Sequence, residues 1–393
     1  MKRILFAPLA LLAALPAAGQ DAYSPVLEQI ERNSATLAAL REQAEARKLA
    51  SRADVYPAAP EVEFGYLWGA PAAVGARKDV SVSQAFDFPS VYARRGRLAE
   101  SLGGCAEWLY RSRRMELLLS AKKVCIELVY YNGLAELYGR LSANARQVAD
   151  ACGKKEQSGD ANRLDFNKAR LNLAAMDGEA RRVDIERAGL LAELTRLNGG
   201  VALEFDRSEY APSPLAADDF EEWYAAAAAA SPALQYLLSQ VEVGERRVEL
   251  SRAQALPSFT LGYMGEFVAG QNYQGVTLGL SIPIWEGRSK VRLARAEARA
   301  SVAEAEDAKI QYYNRLKSLH ARVVELGENV RRYASALSEG DNDGLLLRAY
   351  SAGEISLLNY LLELDYLVEA RVKLLQARRD YELALAELNA VAL

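Results

Sequence analysis

One histidine, three cysteines and four methionines are spread over 393 residues, and each shortage excludes something. The single histidine, His320, cannot build a histidine-based catalytic or metal cluster by itself, and a packed or exposed helix histidine is its expected role. No HExxH, GxSxG, glycine-rich phosphate loop or Cys-x-x-Cys occurs, so no enzyme chemistry, cofactor or metal site is expected. Cys105, Cys125 and Cys152 are an odd number at wide spacing, without a metal-ligand pattern. All three are expected on one long helix. There Cys105 and Cys125 stand about 30 Å apart and cannot bridge within one subunit, so buried thiols are expected. A formal net charge of −4 gives no pull toward nucleic acid. Past the N-terminus, no stretch has the length and apolarity of a membrane-spanning helix. If a membrane is crossed, strands must cross it.

The N-terminus reads as an export signal over residues 1–19. Lys2 and Arg3 precede the apolar run Ile4 to Leu15, and Pro16-Ala17-Ala18-Gly19 offers small residues for cleavage before Gln20.

The remaining chain compares well with itself. Asn33-Ser34-Ala35-Thr36-Leu37 returns loosely as Ala230-Ser231-Pro232-Ala233-Leu234, and Phe64-Gly65-Tyr66 as Leu261-Gly262-Tyr263. Arg97-Leu98-Ala99 matches Arg292-Leu293-Ala294. Ser158-Gly159-Asp160 with Leu164-Asp165-Phe166 parallels Ala352-Gly353-Glu354 with Leu358-Asn359-Tyr360. Each match is weak alone; their common order and spacing carry the signal. Two repeats are expected, 20–198 and 220–393, joined by a linker at 199–219 that contains Pro212-Ser213-Pro214. Each repeat reads as helix, two strands, long helix, turn, helix. The first repeat is divided at Ser24 to Val55, Glu61 to Trp68, Val80 to Phe88, Tyr92 to Cys152 and Asp160 to Leu197. The second is divided at Phe220 to Ala255, Ser258 to Phe267, Val276 to Ile284, Gly287 to Leu337 or beyond, and Glu354 to Val391. The alanine run 225–230 is expected as a tightly packed helix start.

All four strands alternate. Phe64, Tyr66 and Trp68 share one face of the first strand, while Glu61, Glu63 and Gly65 share the other. Phe86 and Phe88, Leu261 and Tyr263, and Leu278 and Leu280 mark the apolar faces of the rest. These nine residues are the expected lipid-facing set, with Trp68 and Trp285 as interfacial aromatics at strand ends. The wet face carries small and acidic residues, as a water-filled lumen requires. A soluble sheet with one face on a core shows the same alternation. Read as membrane strands, however, four are too few: an open edge is not viable in lipid, and barrels begin at about eight strands. Two copies enclose a narrow, filled barrel; three give twelve strands and a lumen.

The segment after the fourth strand holds a heptad. Val291, Ala298, Ala305, Tyr312, Leu319, Leu326 and Tyr333 form one stripe; Val302, Leu316, Val323, Val330 and Leu337 form its partner, with Arg295 and Lys309 as polar exceptions. Supercoiled, side-by-side helices follow. Tyr92 to Cys152 alone is about 90 Å of helix, beyond an ordinary globular domain.

From about Tyr23 to Leu393, the chain resembles the TolC family of outer-membrane efflux proteins. The stretches that carry the resemblance are Leu256-Pro257-Ser258-Phe259, Leu280-Ser281-Ile282-Pro283-Ile284 and Tyr350-Ser351-Ala352-Gly353-Glu354. The resemblance implies a mixed α and β membrane protein: a homotrimer with a twelve-stranded transmembrane β-barrel and a periplasmic α-helical barrel closing at its far end. It also implies docking of a periplasmic adaptor (membrane fusion protein) and an inner-membrane pump of RND or ABC type, serving efflux or type I secretion. Gly159 and Gly353 fall at the family's periplasmic tip turns. Acidic residues after the tip glycine narrow the entrance in TolC; here Asp165, Asn359 and Glu363 stand at or near those places, so the acidic ring is only partly kept. Few Met and one His weakly disfavour a dedicated soft-metal route. Two other classes remain in view, a periplasmic adaptor and a passive coiled-coil scaffold. Adaptors are expected to add compact β-rich domains, and a scaffold leaves the alternating strands without a role.

Overall fold

The computed structural model describes residues 22–71, 75–159, 162–211, 219–268, 270–337 and 342–393. The export signal expected at 1–19, Asp160 and the Pro212-Ser213-Pro214 run lie outside them. The first helical stretch is two helices, α1 (Ser24–Asn33) and α2 (Ala35–Ala53). Strands β1 (Glu61–Trp68) and β2 (Ala76–Phe86) lead into α3 (Pro89–Ser158), and α4 (Arg163–Leu197) follows. After the segment 198–211 come α5 (Phe220–Ala230), α6 (Pro232–Ala253), β3 (Ser258–Val268) and β4 (Gln271–Ser281). The chain ends in α7 (Glu286–Leu337), α8 (Asn342–Ser351) and α9 (Leu357–Leu388), with a 3₁₀ turn at Ala390–Ala392.

Two breaks correct the sequence reading, which ran one helix through each. Ser34 leaves the helix at φ −66°, ψ 111°, and Ser231 does so at φ −66°, ψ 113°. Ser231 caps the next helix by accepting from Leu234 N–H at 3.4 Å, with Pro232 in its first turn. Both serines are buried, as are Leu37 and Leu234 three residues later. The same capping starts other helices through amide and carboxylate oxygens: Asn162 Oδ1 accepts from Leu164 N–H on α4, and Asp219 Oδ1 from Glu221 and Glu222 on α5.

The chain folds as two units, each with its own interior. One comprises residues 22–34, 121–213 and 343–365. Ile126, Leu128, Val129, Leu134 and Leu141 of α3 are buried in it, as are Val183 and Leu194 of α4 and Ile30 of α1. The irregular segment 198–211 is tied down by polar side chains. Asn132 Nδ2 donates to Arg207 O at 2.9 Å, Arg187 Nε donates to Asn132 Oδ1 at 2.7 Å, and Tyr210 OH donates to Ile126 O at 3.0 Å. These bonds satisfy the buried Asn132 amide and the Arg207 carbonyl, which lies outside any helix or strand, while Ile126 O inside α3 takes a second donor.

The other unit comprises residues 35–120, 214–342 and 366–393 and holds the sheet. In its helical core, Leu316, Leu319 and Val323 of α7 pack against Tyr381, Ala384, Leu385 and Leu388 of α9. Phe220, Trp223 and Tyr224 of α5 lie against the same cluster. The heptad accounts for this burial: along its first stripe, from Val291 to Tyr333, every residue is buried or half-buried. In the second stripe Val302 is exposed, beside the polar exceptions Arg295 and Lys309. The alanine run is not the packed feature expected. Of its six residues only Ala227 is buried, because the aromatic residues before it make the contacts. His320 is one of those contacts, edge-on to Phe220 with ring centroids 5.5 Å apart. Cys105, Cys125 and Cys152 all lie on α3 as thiols; Cys105 is half-buried, the other two buried.

Candidate membrane sheet and tip turns

The four strands form one antiparallel sheet in the order β1-β2-β3-β4. Register makes the separate alternations agree. Val62 pairs with Val82, Val82 with Tyr263, and Tyr263 with Val276; two residues along, Leu261 pairs with Leu278, and further on Phe86 pairs with Phe259 and Phe259 with Leu280. One face of the sheet is therefore apolar across all four strands, since directly paired residues point the same way. Aromatic rows bound it: Tyr66 and Phe267 in one, Phe86 and Phe259 in the other. Along β3 these rows are about 27 Å apart, close to the apolar band of about 25 Å on membrane barrels. Lys78, Gln84, Asn272 and Gln274 interrupt this face.

The other face carries Glu61, Glu63, Ser81, Ser83, Thr260 and Thr277. Arg77 bridges Asp79 at 2.9 Å and Glu266 at 3.2 Å on it. Four glycines sit on this face, and at Gly262 the reason is contact. A Cβ there meets Thr277 Oγ1 at 2.6 Å and Val82 O at 2.9 Å. Side chains crowd on the polar side, and glycine is what a sheet bending toward that side requires.

All nine expected lipid-facing residues are exposed in the single chain, from Phe88 at 39% to Trp68 at 81%. Eight lie in strands on the apolar face. Phe88 does not: β2 ends at Phe86, because Pro89 opens α3 and the chain must leave the ladder before it. Trp285 likewise lies beyond β4, which ends at Ser281, in the turn before α7. Strands β2 and β4 begin earlier than the alternation suggests, at Ala76 and Gln271, through residues of mixed polarity. The sheet's edges, β1 and β4, have no partner strand among the described residues.

In the other unit, the two turns expected at the tip share one conformation. Gly159 at φ 83° ends α3 and Gly353 at φ 79° follows α8. Neither is crowded, so the positive φ itself selects glycine. Beyond each turn a side chain caps the next helix, Asn162 for α4 and Ser356, whose Oγ accepts from Asn359 N–H at 3.2 Å, for α9. Asp165 lies half-buried in the first turn of α4, 3.9 Å from Lys168 Nζ. Asn359 and Glu363 are exposed one turn apart on α9, while Tyr360 and Leu364 beside them are buried. The fold thus puts Asn359 and Glu363 on one face and Asp165 on another helix.

A cluster not foreseen from the sequence holds these turns. Cys152 Sγ and Tyr350 OH are 3.2 Å apart, Tyr350 stacks on Tyr360 at 5.2 Å, and Phe166 lies against Gly153. Burial raises the Tyr350 phenol above its ordinary range, with the Cys152 contact adding and the Asp165 carboxylate contributing further. The signal was present in the repeat: Phe166 and Tyr360 each stand seven residues after a tip glycine.

No protein-family model and no curated protein sequence matches the chain. Solved structures do. The CmeC outer membrane channel of Campylobacter jejuni superposes with a TM-score of 0.71 at 16% identity, covering 94% of this chain and 84% of that one. For the outer membrane protein VceC of Vibrio cholerae the values are 0.68 and 14%, with 94% and 95% covered. The MtrE outer membrane channel of Neisseria gonorrhoeae, in its open state, gives 0.68 and 14%, with 93% and 88% covered. This chain has the outer-membrane channel fold. Within that fold, the four-stranded sheet is antiparallel throughout and the remainder is mainly helical.

Proposed function

We propose that the protein is an outer-membrane channel of the TolC family, acting as the exit duct of a tripartite efflux or type I secretion system. Three copies each contribute four strands to a twelve-stranded barrel in the outer membrane, and their helices line a tunnel in the periplasm. Substrates handed over by an inner-membrane pump of RND or ABC type and a periplasmic adaptor diffuse through it. The chain supplies no energy and no catalysis. Asp165, Asn359 and Glu363 border the periplasmic entrance, whose turns are set by Gly159 and Gly353. The nine exposed apolar residues face lipid, Phe88 from just beyond its strand. The matching turns at Ser34 and Ser231, and at Gly159 and Gly353, support an origin of the two halves by duplication.

One observation carries this reading: an apolar sheet face exposed across four strands, bounded by two edges without partner strands among the described residues. Exposing Val276 and Leu278 at 78% each to water is unfavourable by roughly 1.5–3 kcal/mol per side chain. Bare edges recruit other strands. Lipid removes the first cost and neighbouring copies remove the second. A coiled-coil scaffold gives the sheet no role. Purified full-length protein in a planar bilayer is expected to give stable, voltage-independent steps of conductance. Absence of conductance from protein that stays soluble without detergent contradicts the proposal.

A further inference from the structure

Where helices meet the sheet, the chain reverses its overall charge. Residues 47–54, 87–97, 246–252 and 286–295 hold thirteen Lys or Arg against four Asp or Glu, in a chain of net charge −4. These are the four helix ends that adjoin strands: the ends of α2 and α6 and the starts of α3 and α7. The thirteen divide by burial. Arg94, Arg95 and Arg246 are half-buried and engaged internally: Arg94 with Glu249, Arg95 with Asp87 at 2.6 Å, and Arg246 with Glu242 at 3.5 Å. The other ten are exposed.

Helix chemistry explains half of this pattern. Arg52 and Arg252 stand in the last turns of α2 and α6, where the helix dipole favours cations. At the start of a helix the dipole disfavours them, yet Arg288 and Lys290 follow Glu286 within the first two turns of α7, and α3 has no acid in its first turn. A second feature repeats at all four junctions. Between strand and basic run stands at least one exposed apolar side chain: Tyr56 at 75%, Phe88 at 39%, Leu256 at 41%, and Trp285 at 83% with Ile282 and Ile284 before it. Anchors of this kind beside Lys and Arg are the side-chain pattern of a membrane–water interface facing anionic lipid.

We propose that these junctions form a basic collar that binds anionic phospholipid headgroups in the leaflet at the helix end of the sheet. The proposal rests on the sheet spanning a membrane, as argued above. Apolar anchors fix the depth, and the cations beyond them meet phosphate at headgroup level. The collar's partner is lipid rather than soluble anion because the charge continues directly from the apolar face.

The test compares full-length protein with the triple variant Arg288→Gln, Arg292→Gln and Arg295→Gln in mixed phosphatidylglycerol and phosphatidylcholine micelles. Retained lipid is measured by native mass spectrometry, and both proteins are checked for conductance in phosphatidylcholine bilayers. Wild type is expected to favour phosphatidylglycerol, and the variant to lose about fivefold of that preference per residue removed while still conducting. The corresponding triple change to Lys should keep the preference. A second variant, Arg52→Gln with Arg252→Gln, supplies the same readout should the triple variant not assemble. A conducting Gln variant with undiminished phosphatidylglycerol preference overturns the collar. So does one that loses only anion selectivity of the pore, since its charges then line the passage. Wild type that enters neither bilayer overturns the membrane reading and the collar with it.

Discussion

The same leucine has opposite fates in two regions of one unit. On α7, Leu316 and Leu319 are 4% and 8% exposed, enclosed by α9 and α5. On β4, Leu278 and Leu280 are 78% and 58% exposed, on a mainly apolar face that Lys78, Gln84, Asn272 and Gln274 interrupt. Both regions present apolar side chains in a row; what differs is whether the chain itself covers them. The helices carry their cover within the chain, in the complementary stripe of a neighbouring helix. No described residue covers the sheet's apolar face, and its two edge strands likewise have no partner strand among the described residues.

The widest separation between the two regions is expected from truncation in the helical core. Leu319→Ala should destabilise the folded chain by about 2–5 kcal/mol, read as a lowered thermal midpoint in detergent. Leu278→Ala should leave that midpoint nearly unchanged. A loss as large as that of Leu319→Ala places Leu278 in a protein core and breaks the contrast. Next in size, Leu278→Arg should cost about 2–4 kcal/mol of assembly, read as the yield of membrane-inserted oligomer. Normal yield reverses the assigned face. Gly262→Ala tests the polar side: with Thr277 and the Val82 carbonyl already in reach of a Cβ, a cost of about 1–3 kcal/mol in unfolding is expected. A neutral result means the sheet relaxes there without resistance.

The smaller effects belong to the tip turns. Tyr350 is held protonated by burial, so its contribution is full below pH 10 or so, where the unfolded phenol begins to ionise, and falls as pH rises beyond. Hydrogen exchange around 343–365 should accelerate with alkali more in wild type than in Tyr350→Phe, after correction for intrinsic rates; equal acceleration removes Tyr350 from that role. Asp165→Ala should leave stability within about 0.5 kcal/mol and weaken cation preference in bilayer recordings. Unchanged selectivity takes Asp165 away from the entrance.

Much of this fold was legible in the sequence because its periods are long and clean. Period-two alternation located all four strands, and the heptad located the buried stripes of α7. Local punctuation was read less well. Ser231-Pro232 is a helix-start signal that an overall helical pattern masked, and Ser34 has no proline to announce the same break. Pro89 signals the end of β2, while the hydrophobicity of Phe88 alone suggests that the strand continues through it. The alanine run suggested close packing through propensity, whereas burial followed the larger rings of Phe220, Trp223 and Tyr224. At the turns, Gly159 and Gly353 were legible from the internal repeat and the family resemblance; their positive φ is what the structure adds. The Cys152, Tyr350 and Tyr360 cluster was not, since it joins residues of three helices whose approach only the tertiary fold determines.

The most direct test is the number of chains in the particle extracted from membranes, measured by native mass spectrometry after detergent removal in the gas phase. Three chains sharing one particle, extracted only by detergent, is the predicted result. A single chain, stable in buffer with its sheet face covered by its own residues, contradicts it.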